Sequence, residues 1–180
     1  MKKPVLLSLL IASVAALIAL LFVMRTAVDK AGEYAAPDAV RNVTVNLDGQ
    51  TFALRNGIAT TESAPGSASK NTVRVVGEPA VGDATGEGEQ DAALLLANDP
   101  GGSGTFYYAV LAVNRGGAYQ ATNAVALGDR IVPKGIDYVD GHFVYNFLDR
   151  KSGASMASEP DVEEHVKINI DPKSNRISVG

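Results

Sequence analysis

The sequence predicts a mainly β protein: a single antiparallel meander or sandwich-like domain of about 8–10 short strands, preceded by an N-terminal transmembrane helix. Three observations carry this. Pro4 to Met24, "PVLLSLLIASVAALIALLFVM", is apolar and uncharged. From residue 42 onward, short runs of β-forming residues alternate with Gly, Asp, Asn and Pro turns. No stretch beyond the apolar run repeats its hydrophobic residues at the period of a soluble helix.

The first element is the apolar run. At about 1.5 Å per residue it spans roughly 31 Å as a helix, the thickness of a hydrocarbon core. A cleaved export signal has a shorter apolar region, and "RTAVDK" after Met24 offers no tidy small-x-small site. We therefore expect a retained single-pass anchor. Lys2 and Lys3 before it and Arg25 and Lys30 after it are near parity for orientation. The Met-Lys-Lys head is that of an export signal, which sends the rest of the chain out of the cytoplasm. Residues 1–3 are thus expected as a cytoplasmic tip, 4–24 as the membrane span, 25–41 as a linker and 42–180 as an extracytoplasmic β domain, periplasmic or at the cell surface.

Charge and composition narrow the partners. Setting Lys2 and Lys3 aside from the 16 basic residues leaves 14 against 20 acidic ones, about −6 for the exported part. That balance argues against nucleic acid and against attraction to anionic lipid headgroups. With no cysteine in the chain, neither a disulfide nor a lipid-modified cysteine is available.

Taken in order, "VTVNLDGQTFALRNG" gives two alternating runs joined at Asp48-Gly49, a hairpin-turn dipeptide. A Ser, Ala, Gly and Pro loop follows over Thr60 to Lys70. "TVRVVGEPAV" is a strand interrupted by Gly77 and Pro79, hence at an edge or bulged there. "DAALLLAN" and "TFYYAVLAV" are apolar on both faces, as in central strands covered on both sides. Alanine and leucine favour helix, yet Asp91 to Asn98 is short and hemmed in by turns. "AYQATNAVAL", "IDYV", "HFVYNFL", "EEHVKINI" and "RISV" complete the series. On alternation, Phe143, Tyr145 and Phe147 share one face.

Two loops invite chemistry. Asp83-x-Thr85-x-Glu87-Gly88 has the spacing of a calcium loop, with oxygen ligands at positions 1, 3 and 5 and glycine at 6. Asp83, Thr85, Glu87, Glu89 and Asp91 are the candidate ligands, although Thr and the longer Glu depart from that pattern. The competing reading is an acidic turn that keeps the loop's shape without the ion. The second loop, "DPGGSGTF", lacks the final glycine of a nucleophile elbow and the lysine of a P-loop. Asp99, Gly101, Gly102, Ser103 and Gly104, with Asp129 and Arg130, form a candidate ligand or partner loop. A hydrolase would have to use Ser103 with Asp99 or Asp129, and only two histidines, His142 and His165, exist to assist it. Asp129-Arg130 and Asp149-Arg150 each end an apolar run and either pair locally or meet at one end of the sheet.

The stretches "APGSASK", "VRVVGEPAVGDATGEGEQDAALLL", "DPGGSGTFYY", "TNAVALGDRI" and "FLDRKSGASM" together resemble a bacterial extracytoplasmic module distantly similar to the LppP/LprE lipoprotein family. The resemblance covers roughly residues 64–170. It implies an envelope location and brings no reaction with it. Relatives of that kind carry a fuller D-x-D-x-D-G loop, which maps here onto Asp83, Thr85, Glu87 and Gly88. The function expected is that of a membrane-anchored, non-catalytic binding, structural or accessory module with a protein partner in the envelope. It needs no cofactor, and a calcium-stabilised interaction domain is the alternative.

Overall fold

Where the sequence places Asp or Asn before Gly, the backbone turns through positive φ. Asp48 and Gly49 (φ 51° and 85°), Asn56 and Gly57 (51° and 82°) and Asp140 and Gly141 (50° and 80°) each make a two-residue hairpin turn. Such turns match the right-handed twist of the strands they join. The computed structural model describes residue 36 and residues 38–180, which belong to one folded unit. Among these residues no helix is long and apolar enough to cross a membrane. The expected span at 4–24, with its cytoplasmic tip, lies outside the described residues.

After a 3-10 turn over Asp38–Asn42, thirteen strands follow: β1 (Thr44–Leu47), β2 (Gln50–Ala53), β3 (Ile58–Glu62), β4 (Lys70–Val75), β5 (Ala80–Gly82), β6 (Asp91–Asp99), β7 (Phe106–Arg115), β8 (Ala118–Ala121), β9 (Val125–Asp129), β10 (Val132–Val139), β11 (His142–Asp149), β12 (Val162–Asp171) and β13 (Arg176–Val179). All the strand pairings are antiparallel. The β1–β2 hairpin stands alone, β10-β11-β12-β13 form one sheet, and the remaining seven strands form another.

The seven-stranded sheet has five lanes. β4 and β5 run in tandem along one side of β6, pairing with Leu96–Asp99 and with Asp91–Ala93. β8 and β9 run in tandem along the outer side of β7. Gly77 and Pro79 thus mark a break between two strands of one lane, where the sequence reading expected a single strand at an edge or with a bulge. "AYQATNAVAL", read as one strand, is likewise two, separated at Thr122–Ala124. These breaks, together with β3, raise the expected 8–10 strands to thirteen. Thr60–Glu62, assigned to a loop, belong to β3, an edge strand with little apolar alternation to reveal it.

β6 and β7 are covered on both faces. On one side Ala92, Leu94, Leu96, Tyr108, Val110 and Ala112 pack with Val45, Leu47, Phe52, Leu54 and Val40. The β1–β2 hairpin and the 3-10 turn therefore cover that face. Val40 is fully buried, so the domain begins before residue 42 and the last residues of the expected linker are part of it. On the other side Ala93, Leu95, Ala109 and Leu111 meet Phe143, Tyr145, Ile168 and Ile177 of the second sheet. This double cover explains why "DAALLLAN" shows no alternation. It also overrides the helical preference of its alanines and leucines, since each buried leucine contributes about 1.5–3 kcal/mol.

Tyr145 fixes the second interface. Its ring is buried over the small side chains of β6 and β7, and its hydroxyl lies 3.1 Å from both Leu94 O and Val110 O. One proton serves two carbonyls of directly paired residues. Burial pushes the Tyr145 hydroxyl far above the ordinary tyrosine range. Tyr145→Phe keeps the packing and removes this donor, so a loss of about 1 kcal/mol in unfolding free energy is expected with the denaturant slope unchanged. Urea denaturation of the two proteins measures both.

Candidate functional site

Strand register sorts the loops by end of the sheet. Thr72 pairs with Asp99, Phe106 with Asp129, Val132 with Leu148 and Asp149 with Val162. Four connections therefore emerge together: residues 63–69, 100–105, 130–131 and 150–161. They hold "APGSAS", "PGGSGT" and most of "DRKSGASMASEPD", stretches far apart in the chain.

Backbone contacts stitch these loops to one another. Ser63 Oγ donates to Pro100 O at 3.0 Å. Gly101 N donates to Asp99 Oδ1, and a Cβ at Gly101 would fall 2.8 Å from Lys70 O, so only glycine fits that approach. Thr105 N donates to Asp129 Oδ1 (3.0 Å), and Arg130 N donates to Thr105 O (2.7 Å). Arg130 folds back on Asp129 in an ion pair of 3.0 Å. Arg150 reaches three carbonyls: Asp129 O at 3.1 Å, Arg130 O at 3.4 Å and Ser158 O at 2.7 Å. The two Asp-Arg pairs thus meet, with Arg150 tying one loop to the next through the fork geometry of its guanidinium.

Of the residues assigned to this loop by sequence, Asp99, Gly101, Asp129 and Arg130 shape and brace it. Gly102 and Ser103 are exposed at its tip, and Met156 is exposed in the neighbouring connection. Neither histidine is brought to Ser103. His142 begins β11 at the far end, and His165 in β12 has its Nδ1 2.6 Å from Asn146 Oδ1.

At the opposite end lies the acidic loop, and its five candidate ligands do not converge. Asp83 accepts from Glu87 N at 3.1 Å and Gly88 N at 2.8 Å. Asp91, fully buried at the start of β6, accepts from Ala84 N (3.1 Å), Thr85 N (3.0 Å) and, on its other oxygen, Asn114 N (3.0 Å). Glu87 pairs with Arg115, and Glu89 accepts from Gly116 N at 2.9 Å. Thr85 Oγ1 stays beside Asp83. Among the described residues no three acidic or histidine side chains gather as an ion-binding group. Backbone N–H groups of the turn thus take up carboxylate oxygens of Asp83 and Asp91.

Two recesses open where the lanes are broken. One, of about 420 Å³, lies at the β4–β5 break beside Leu95 and the bulge of β10 between Pro133 and Gly135. The other, of about 620 Å³, lies at the β8–β9 break and is lined by Asn46, Asp48, Tyr108, Ala121–Ala124, Ala126 and Arg176. No motif marks these residues, because their meeting depends on contacts up to 60 positions apart, such as Tyr108 Oη to Asp48 Oδ2 at 2.6 Å. The chain matches no family model, no curated protein and no solved structure.

Two measurements probe this geometry. Asp91→Asn sets an amide NH2 against backbone donors, and we expect a loss of about 1–3 kcal/mol in chemical denaturation. Burial, then the hydrogen bond and charge of Asp48, push Tyr108 from 10.0 up to about 12. Below pH 10 the hydroxyl is neutral in both folded and unfolded chains. Its contribution to stability is then lost as pH rises from 10 toward 12, where only the unfolded chain ionises first. In the absorbance titration of tyrosinate, Asp48→Asn should bring one late-ionising tyrosine to lower pH.

Proposed function

We propose that this protein is a membrane-anchored, extracytoplasmic, non-catalytic binding module that presents the four-loop end of its β domain to a protein partner in the envelope. Residues 4–24 are its anchor, and kinship with the LppP/LprE type of module is part of the proposal. The observation that carries it is the convergence of four connections, three of them rich in Ser and Gly, on one end of the sheet scaffold. Arg150 ties the 130–131 and 150–161 connections together, while Gly102, Ser103 and Met156 remain exposed. Binding residues carried on loops held by a rigid scaffold are a general solution to recognition. The net negative charge disfavours a polyanionic partner.

Position-dependent crosslinking in native membranes tests the reading. A photoreactive residue at Ser103 or Met156 should capture the same partner, whereas one at Lys173, at the far end, should not. Equal capture from both ends, or capture from Lys173 alone, removes the loop end as the interface. Alkaline carbonate extraction tests the anchor separately: the chain should stay with the membrane pellet, and release into the supernatant counts against a retained span.

A further inference from the structure

The recess at the β8–β9 break has walls fixed by hydrogen bonds that serve no strand pairing. Asn123 clamps β13 from both sides of one residue, accepting from Ile177 N at 2.7 Å and donating to Ile177 O at 3.1 Å. Arg176 is the next residue along, so its backbone is held by the same clamp. Thr122 Oγ1 accepts from Leu111 N at 3.1 Å, and Asn175 Nδ2 donates to Ala121 O at 3.2 Å. The backbone of this wall is therefore set before any ligand arrives, which lowers the ordering cost of binding.

Its charges are divided. Arg176 contributes a guanidinium, and among the described residues no carboxylate lies within ion-pair distance of it. The β1–β2 turn contributes Asp48, whose Oδ2 receives the Tyr108 proton. That bond leaves Asp48 Oδ1 and a lone pair of Tyr108 Oη as acceptors. The recess thus brings together the acceptors of Asp48 and Tyr108, the cation of Arg176 and the methyl groups of Ala121, Ala124 and Ala126.

We propose that this recess is a binding site for a small zwitterion with a short apolar stem, an amino acid or dipeptide. Its carboxylate pairs with Arg176, and its ammonium donates toward Asp48 and Tyr108. A volume of about 620 Å³ admits a ligand of that size. The site lies apart from the four-loop end and does not depend on it.

The test uses the full chain in lipid nanodiscs, titrated calorimetrically with alanyl-alanine, its N-acetyl derivative and its C-terminal amide. Alanyl-alanine should bind saturably, and each blocked analogue should bind about tenfold or more weakly, because each loses one charge-assisted contact. Arg176→Gln should abolish discrimination against the amide but keep it against the N-acetyl form, and Asp48→Asn should do the reverse. Arg176 lies on the rim, so its variant reports even if Asp48→Asn disturbs the hairpin. The proposal is overturned if alanyl-alanine gives no saturable heat at millimolar concentration. It is equally overturned if blocking either charge leaves affinity unchanged, or if Arg176→Gln binds all three probes as the parent does.

Discussion

Pairing β6 with β7 creates two apolar faces that must both be hidden from water, and the other layers are arranged by that need. The alternating residues of "DAALLLAN" project equally apolar side chains to each side, so neither face can be left open. The β1–β2 hairpin closes one face with Phe52, Leu47 and Leu54. The second sheet closes the other with Phe143, Tyr145 and Ile168. The alanines in the central pair matter as much as the leucines, because their small volume lets the large aromatics of the facing sheet settle against the backbone. Tyr145 exploits that proximity to reach two main-chain carbonyls.

The same arrangement determines where a binding surface can exist. With both faces of the central pair covered, recognition is left to the ends of the strands and to the breaks in the flanking lanes. One end gathers the Ser- and Gly-rich loops and is braced by Arg150. The other is closed on itself, with Asp83 and Asp91 consumed by backbone N–H groups and Glu87 by Arg115. The two lane breaks leave recesses of unequal character. The one beside Leu95 is bordered mainly by the β10 bulge and apolar side chains, with Glu78 and Lys134 at its edges, whereas the one beside Tyr108 carries the guanidinium of Arg176 and the carboxylate of Asp48.

Much of this was legible in the sequence. Asp-Gly dipeptides marked the hairpins, and unbroken apolar runs marked the central pair. Gly77 with Pro79 marked the break between β4 and β5. What local pattern missed were features of low contrast: β3, whose exposed edge position demands little apolar alternation, and the break at Thr122–Ala124, where no proline or glycine signals the interruption. The calcium spacing around Asp83 was equally readable as a turn, since the same oxygens and the same glycine serve both.

By itself, then, the sequence determined the mainly β class and the two-sided burial of Asp91–Asn98. These follow from side-chain period and turn chemistry, which act over a few residues. Only the tertiary structure decided which distant groups meet: Arg150 with the carbonyls of Asp129 and Ser158, Asp48 with Tyr108, and Asn123 with Ile177. Such pairings depend on sheet register and on how three layers stack. No local pattern records either, because both are settled by the burial of the whole core at once.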